Sequence, residues 1–479
     1  MRVLYVTSEA VPFASSGALA ETASSFAYAM RQRLVTCRVV LPLYEAIPQE
    51  LKDNMRFIAS LSVPVAWRRQ YCGVFESRYK GVTYYFIDNQ YYFKRKGFYG
   101  HYDDAERFAF FSRAVLEMLP YIDYQPDIIH ANDWQTALVP VYYDLFYGQN
   151  EWYRGIKTVF TIHSIQYQGK YGMELAEEVL GIPSERQGVI EFDGCINLLK
   201  AAIETAHKVT TLSATYAQEL RDPWFACGLD AIIRERSWKI QGILNGLDTA
   251  SYNPATDAML YAQYDQDTFA EGKAINKREL QKRLYLPERD DVPMIGMVTP
   301  MVASKGLDLL REVLDELLQY SDVQFVILGS GDWEYESYFK EMQERYRDKC
   351  VACFGFIPEL ARKIYAASDM SLIPSKSEPG GNTQMIALRY GAVPIVRETG
   401  SLRDTVFDSE DGYGNGFVFQ AYDSRQMINA VYRALGGYSN SYGWNILTER
   451  AMLCDNTWNK SAKQYLNLYQ ELLNEQSAN

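Results

Sequence analysis

The sequence predicts an α/β protein built from two doubly wound parallel sheets. Three observations carry this. Short, continuous apolar runs alternate with amphipathic helical stretches through both halves of the 479-residue chain, the signature of strands buried on both faces. The alternation lapses over a polar stretch at 253–291 and restarts at residue 293. At about 150 residues per domain, the length suggests about three compact units or two large ones.

Taken in order, residues 2–7 form a β-branched and apolar strand, followed by a small-residue loop and a helix from about 18 to 31. Further strands are expected at 37–42, 127–130, 157–163 and 208–213, each short, apolar and polar at its carboxyl end. In the second half a strand at 293–298 precedes Leu307, Leu310, Val313, Leu314, Leu317 and Leu318, which recur at helical spacing. Then come strands at 323–328 and 351–356, a helix at 360–367, a strand at 370–374, a helix at 383–390 and a strand at 393–396. Two doubly wound domains follow, either side of about 250–290, with boundaries at 1–250 and 251–455.

Composition removes several classes of function. Hydrophobic residues make up 48% and charged residues 23%, a globular balance. The net charge of −12 disfavours nucleic acid and anionic membranes as partners. No apolar run approaches the ~18 residues that span a bilayer. The Val3 to Val6 stretch is too short for a signal-peptide core, so a cytoplasmic location is expected. Seven scattered cysteines fit a reducing compartment. The pair Cys350 and Cys353 lies in an apolar run with no second such pair, and reads as strand core rather than a redox or zinc site. With four histidines in all, no metal site and no cofactor are expected.

Open parallel sheets bind ligands beyond the carboxyl ends of their strands, and two such sheets place the economical site in a deep cleft that both domains face. Four strand-end clusters therefore carry the candidates. In the first, Glu9 precedes Ser15, Ser16, Gly17 and Ala18, a small-residue turn opening a helix. Free backbone N–H groups there suit an anion such as phosphate, and a helix cap by Ser15 or Ser16 explains the same residues. Glu9 is a candidate for sugar hydroxyls, and a solvated carboxylate explains it equally. The second cluster runs from His130 through Asp133, Trp134 and Gln135, and the third is Thr161 to Ser164 around His163. A histidine closing a buried strand reads as a satisfied core residue on its own; two at equivalent strand ends, one beside Asp133 and Trp134, point to a hydroxyl-rich ligand. Trp134 suits either stacking or packing. The fourth cluster, Ser375 to Gln384, sets Glu378 before a helix start with Gly380, Gly381, Asn382 and Thr383 exposing backbone donors beside it. Lys305 supplies a positive charge after the strand at 293–298.

These residues resemble the bacterial glycogen synthases and plant starch synthases over nearly the whole chain. The resemblance rests on residues 2–9, 39–44, 105–112, 130–134 and 160–163 in the first half. It continues through 208–213, 242–248, 253–257, 389–391 and 414–418. It implies the two-domain Rossmann-like GT-B architecture, with a terminal helix over 456–479 crossing back to the first domain. It also implies transfer of glucose from a nucleotide sugar, most often ADP-glucose, to the non-reducing end of an α-1,4-glucan with retention. Carried over residue by residue, it makes His163, Glu378 and Lys305 catalytic. Ser15, Ser16, Gly17, Ala18, Asn245, Phe356, Gly380, Gly381, Asn382 and Thr383 become donor-binding, and Glu9, Asp133 and Trp134 acceptor-binding.

The phosphate-handling positions depart from the family. Its Lys-Thr-Gly-Gly-Leu loop is Ser15-Ser16-Gly17-Ala18-Leu19 here, and its Arg before Lys-Gly is Pro300, with Lys305 and Gly306 retained. Three readings stay open: a working glucan synthase with a rearranged phosphate site; a nearly inactive homologue that binds glucan or regulates a true synthase; and a glycosyltransferase with another donor or acceptor.

Overall fold

In the computed structural model, which describes residues 1–477, the chain divides into two compact units. One is Met1–Asn245 joined by the final helix Trp458–Ser477; the other is Gly246–Thr457.

The first unit is organised on a nine-stranded sheet. Its strands are β1 (Arg2–Val6), β2 (Thr36–Pro42), β3 (Arg56–Val65), β4 (Arg68–Tyr79), β5 (Val82–Asp88), β6 (Ile128–Asn132) and β7 (Lys157–Ile162). A small antiparallel side sheet of β8 (Lys170–Tyr171), β9 (Glu191–Phe192) and β10 (Cys195–Asn197) intervenes before β11 (Lys208–Thr211) and β12 (Ile240–Gly242). The large sheet runs β12-β11-β7-β6-β1-β2-β5-β4-β3. It is parallel from β12 to β5, whereas β4 and β3 join antiparallel. The wholly parallel sheet expected from the sequence is corrected here. Lys80 and Gly81, both with positive φ, form the two-residue turn that pairs Tyr79 with Val82.

Central strands are apolar because both faces are covered. On one side the helix Ala18–Gln32 buries Ala20, Ala23, Phe26, Ala27 and Met30 at three- and four-residue spacing. Phe26 stacks on Tyr5 of β1 at 4.5 Å. The final helix adds Trp458, Ala462, Tyr465, Leu468, Tyr469 and Leu472 to the same core. Its Tyr465 meets Phe26 edge-on at 5.1 Å.

The second unit has six parallel strands: β13 (Met294–Val298), β14 (Gln324–Gly329), β15 (Cys350–Phe354), β16 (Met370–Ile373), β17 (Val393–Arg397) and β18 (Phe417–Phe419). Their order is β15-β14-β13-β16-β17-β18. The leucine face of the helix Leu307–Tyr320 is buried against them. Cys350 and Cys353 belong to cores on opposite faces of this sheet, so both are packing residues and both are free thiols.

Each sheet reverses its winding once, between β1 and β6 in the first unit and between β13 and β16 in the second. A crevice opens at such a switch point, where the chain leaves neighbouring strands in opposite directions. The residues just after β1, β6, β13 and β16 are therefore gathered in pairs. No helix among the described residues is long and apolar enough to cross a membrane.

Candidate functional site

At the switch point of the first unit, β1 delivers Glu9 and β6 delivers Asp133. Glu9 is 3% exposed. Its carboxylate accepts from the Ser16 backbone N–H and, at 2.7 Å, from the Ser16 hydroxyl. A third donor, the Tyr99 hydroxyl, lies 2.5 Å away. The loop residues Ser15, Ser16, Gly17 and Ala18 are exposed, and the helix they open has Gly17 at its cap with no side chain bonded to its first amides. The serine cap that would have explained the loop is absent, and an exposed helix start with no capping side chain suits an anion. Asn245 lies beside this helix, its Nδ2 donating to Thr22 Oγ1 at 3.3 Å. Its Oδ1 is buried without a partner, an acceptor suited to a ligand hydroxyl.

Asp133 sits at φ +56°, a left-handed conformation that Asp tolerates better than most residues. Its Oδ1 accepts from the backbone N–H groups of His163 (2.8 Å) and Ser164 (3.4 Å), which ties the end of β6 to the end of β7. Burial pushes its carboxyl up to about 7, against the pull of those two backbone donors. Asn132 fixes His163. Its Nδ2 donates to the Val6 carbonyl at 2.9 Å, so its Oδ1 faces the Tyr5 hydroxyl at 2.8 Å and His163 Nε2 at 2.9 Å. Because an amide oxygen only accepts, Nε2 carries the proton and Nδ1 is an acceptor. Burial lowers His163 to about 3, so it is neutral at neutral pH.

His130 has a different fate. Its ring nitrogens are bonded to the Tyr469 hydroxyl (2.5 Å) and Thr161 Oγ1 (2.6 Å), both buried. This is the satisfied core histidine, linking the final helix to the sheet. Trp134 is half-buried, edge-on to Phe108 at 5.2 Å and 6.1 Å from Tyr171. Gly169, at φ +63°, leaves room for the indole; a Cβ there would lie 2.9 Å from it.

At the switch point of the second unit, β13 leads to Lys305 and β16 to Glu378. Glu378 Oε2 accepts from Lys305 Nζ at 2.7 Å and from Ser375 Oγ at 2.8 Å. Its backbone carbonyl accepts from the Ser401 N–H at 2.8 Å. Glycines make the approach possible. A Cβ on Gly306 (φ +76°) would lie 2.1 Å from the Pro374 carbonyl, and one on Gly400 (φ +47°) 2.0 Å from that of Glu378. A Cβ on Gly381 would meet the Glu378 carboxylate itself at 2.5 Å. Gly380, Gly381, Asn382 and Thr383 are half-exposed beside it, and Asn382 Oδ1 is buried without a partner. Phe356 stands 93% exposed two residues past β15. Pro300 is exposed, and the chain on either side of it hydrogen-bonds to Leu328 and Ser330. Lys376 holds its ammonium 5.9 Å over the Tyr422 ring, which it shares with Arg397.

Glu9, the 15–18 loop, Asn245, Asp133, Trp134 and His163 thus belong to the first unit, and Lys305, Phe356, Glu378 and residues 380–383 to the second. Residue-by-residue reading missed Tyr99, Asn132, Ser375 and Ser401, which hold the singled-out groups in place. Among the described residues no group of three or more His, Cys, Asp or Glu could hold a metal ion.

Residues 2–235 match the family model described as the starch synthase catalytic domain, and residues 292–436 that of glycosyl transferases group 1. The chain is 47% identical over 477 residues to a glycogen synthase of Geobacillus stearothermophilus, covering 99% of this chain and 98% of the relative. It is 45% identical to one of Clostridium novyi, with 99% of each chain covered. Among solved structures, the catalytic domain of starch synthase IV from Arabidopsis thaliana, bound to ADP and acarbose, matches with a TM-score of 0.89 at 34% identity. That match covers 98% of this chain and 99% of the other. Sucrose-phosphate synthase from Thermosynechococcus elongatus shares the fold, with a TM-score of 0.62 at 16% identity over 99% of both chains.

Proposed function

The chain belongs to the family of starch synthase catalytic domains, glucosyltransferases of GT-B fold that include the bacterial glycogen synthases, and from that membership we propose ADP-glucose as its donor and the non-reducing end of an α-1,4-glucan as its acceptor. In this reaction the bond from glucose C1 to the diphosphate breaks and a bond to the acceptor hydroxyl oxygen forms with retention. The hydroxyl proton ends on the released ADP. The reading is of a cytoplasmic enzyme working on soluble nucleotide and polymer.

One observation supports it above the others: the Lys305, Glu378 and Ser375 cluster, cleared by three glycines at the switch point of the second sheet. Glu378, fixed on two donors, leaves its other oxygen beside Gly381 for a sugar hydroxyl. Lys305 supplies positive charge for the departing diphosphate. In the first unit, neutral His163 offers Nδ1 to a hydroxyl, and the open first turn after Gly17 offers backbone donors to phosphate. The ADP and acarbose held by the Arabidopsis relative support an adenine nucleotide and an α-linked oligosaccharide as the ligand classes.

The phosphate side is poorer in charge than the family pattern. Ser15 and Pro300 stand where that pattern has Lys and Arg, and Lys376 is engaged over Tyr422. Losing one pre-positioned donor costs about 10²–10³ in rate. This observation favours, as second reading, a slow enzyme whose main contribution is holding glucan. The test is incorporation of labelled glucose from ADP-glucose into glycogen without added divalent metal, beside Glu378→Ala. Slow transfer that falls by about 10² or more in the variant supports the synthase. Equal background in both, with retained glucan binding, supports the second reading.

A further inference from the structure

The acidic residue at the end of β1 has less freedom than a substrate contact needs. A carboxylate offers about four lone-pair directions. On Glu9 three are taken by protein donors: the Ser16 N–H, the Ser16 hydroxyl and the Tyr99 hydroxyl. Tyr99 has a single proton and gives it to the carboxylate, so its remaining contact, 2.7 Å to Ser8 Oγ, has serine as donor. Burial, with Tyr44 and Glu9 nearby, pushes the Tyr99 phenol well above its ordinary range. It therefore stays protonated and keeps donating. On the backbone side, the Glu9 carbonyl accepts from Thr7 Oγ1 at 2.9 Å. Glu9 is thus anchored on the sheet, braced by the Tyr99 and Ser8 pair, and attached at its far end to one residue of the 15–18 loop by two bonds.

We infer that Glu9 is a positioning residue for the phosphate-facing loop, acting through Ser16, and not a contact for the glucan. The inference rests on the donor-binding reading of that loop. Ser16 is the last residue before Gly17, where the chain turns into the helix Ala18–Gln32. Fixing both its N–H and its hydroxyl sets the direction in which the following amides emerge. It also takes the Ser16 N–H out of the set available to phosphate, so the amides after Gly17 do the binding. In a loop that lacks the family's lysine, orientation of these amides is the main electrostatic resource on this side. The carboxylate's own negative charge is dispersed over three donors, which limits its repulsion of an incoming diphosphate.

The experiment uses the full chain and two binding measurements, ADP by calorimetry and maltoheptaose by the same method, for wild type, Glu9→Gln, Ser16→Ala and Tyr99→Phe. Backbone hydrogen exchange over residues 14–20 is followed in the absence of ligand. Glu9→Gln should weaken ADP by about tenfold, leave maltoheptaose within about twofold, and speed exchange in the loop. Ser16→Ala and Tyr99→Phe should move ADP affinity in the same direction by less. Weakened maltoheptaose with unchanged ADP overturns the inference and returns Glu9 to the acceptor. Unchanged loop exchange in Glu9→Gln overturns it as well. A wild type that binds no ADP sinks the donor reading, whereas loop exchange still decides whether Glu9 fixes the loop.

Discussion

Lys305 and Pro300 show how one unit can keep a charge and lose its neighbour. Lys305 is held at 2.7 Å from a carboxylate that is itself braced by Ser375, so its position is set before any ligand arrives. Position 300 contributes neither charge nor backbone N–H. It is exposed, so a longer side chain there meets no core. The loop at 15–18 is likewise exposed, and a Cβ added at Gly17 would touch nothing within 4 Å. Both places can therefore accept a cation without repacking. Ser15→Lys with Pro300→Arg should raise the rate of transfer from ADP-glucose by at least about tenfold, a fraction of the 10²–10³ that one donor is worth. Steady-state kinetics of the double variant and both singles checks this. A double variant with unchanged kcat/KM and unchanged ADP affinity would show that the phosphate site has diverged beyond these two positions. Such exposed changes are legible in the sequence as departures from a pattern. The role of Asn132 was not, because it depends on a backbone carbonyl at Val6, 126 positions away.

Elements show the same division between local and distant information. Central strands such as β1, β7 and β14 announce themselves, because burial on both faces demands unbroken apolar runs. The edge hairpin of β3 and β4 does not, since only one face is covered and charged residues such as Arg68 and Arg69 interrupt the run. Its turn at Ala66 and Trp67, which pairs Val65 with Arg68, also lacks the Asn-Gly or Asp-Gly signal. The helices that follow the candidate-site loops are visible in the sequence from their glycines and apolar spacing; that Glu378 meets Lys305 follows only once the strand order puts β13 beside β16. The final helix belongs to the first unit through its apolar face and through polar contacts, among them the buried bond of Tyr469 to His130 at 2.5 Å and that of Arg33 to the Asn459 carbonyl at 2.6 Å. Tyr469 is fully buried. Tyr469→Phe keeps the ring and leaves a buried imidazole nitrogen without its partner, which costs about 1–3 kcal/mol. Urea unfolding followed at the first unit's tryptophans should show that loss; a change below about 0.5 kcal/mol, the range of ordinary surface substitutions, would mean that this buried bond adds nothing to the docking of the helix.

At the scale of the whole molecule the buried histidines set how stability responds to acid. Burial lowers His130 and His163 to about 3 and His207 to about 4; a second cause for His130 is the neighbouring His163. In the unfolded chain each titrates near 6.5. As pH falls below that value, the unfolded state takes up protons that the folded state refuses, so the stability these groups contribute is lost progressively toward their folded values. Asp133 acts with the opposite sign. Its folded value is raised to about 7 from an ordinary 3.8, so the folded state holds a proton that the unfolded state has released. Its contribution is present at low pH and is lost as pH rises from about 4 through 7. Between pH 5 and 6 three histidines oppose one aspartate, and unfolding should take up about two protons net. Urea midpoints should therefore fall steadily from pH 7 to pH 5. Asp133→Asn removes the opposing group and should steepen that fall, whatever it does to activity. Histidine NMR provides the direct check: the ring shifts of His130 and His163 should stay at their neutral values at pH 5. Titration of either near 6.5 would mean that water reaches these rings freely, and the neutral acceptor assigned to His163 Nδ1 would lose its basis.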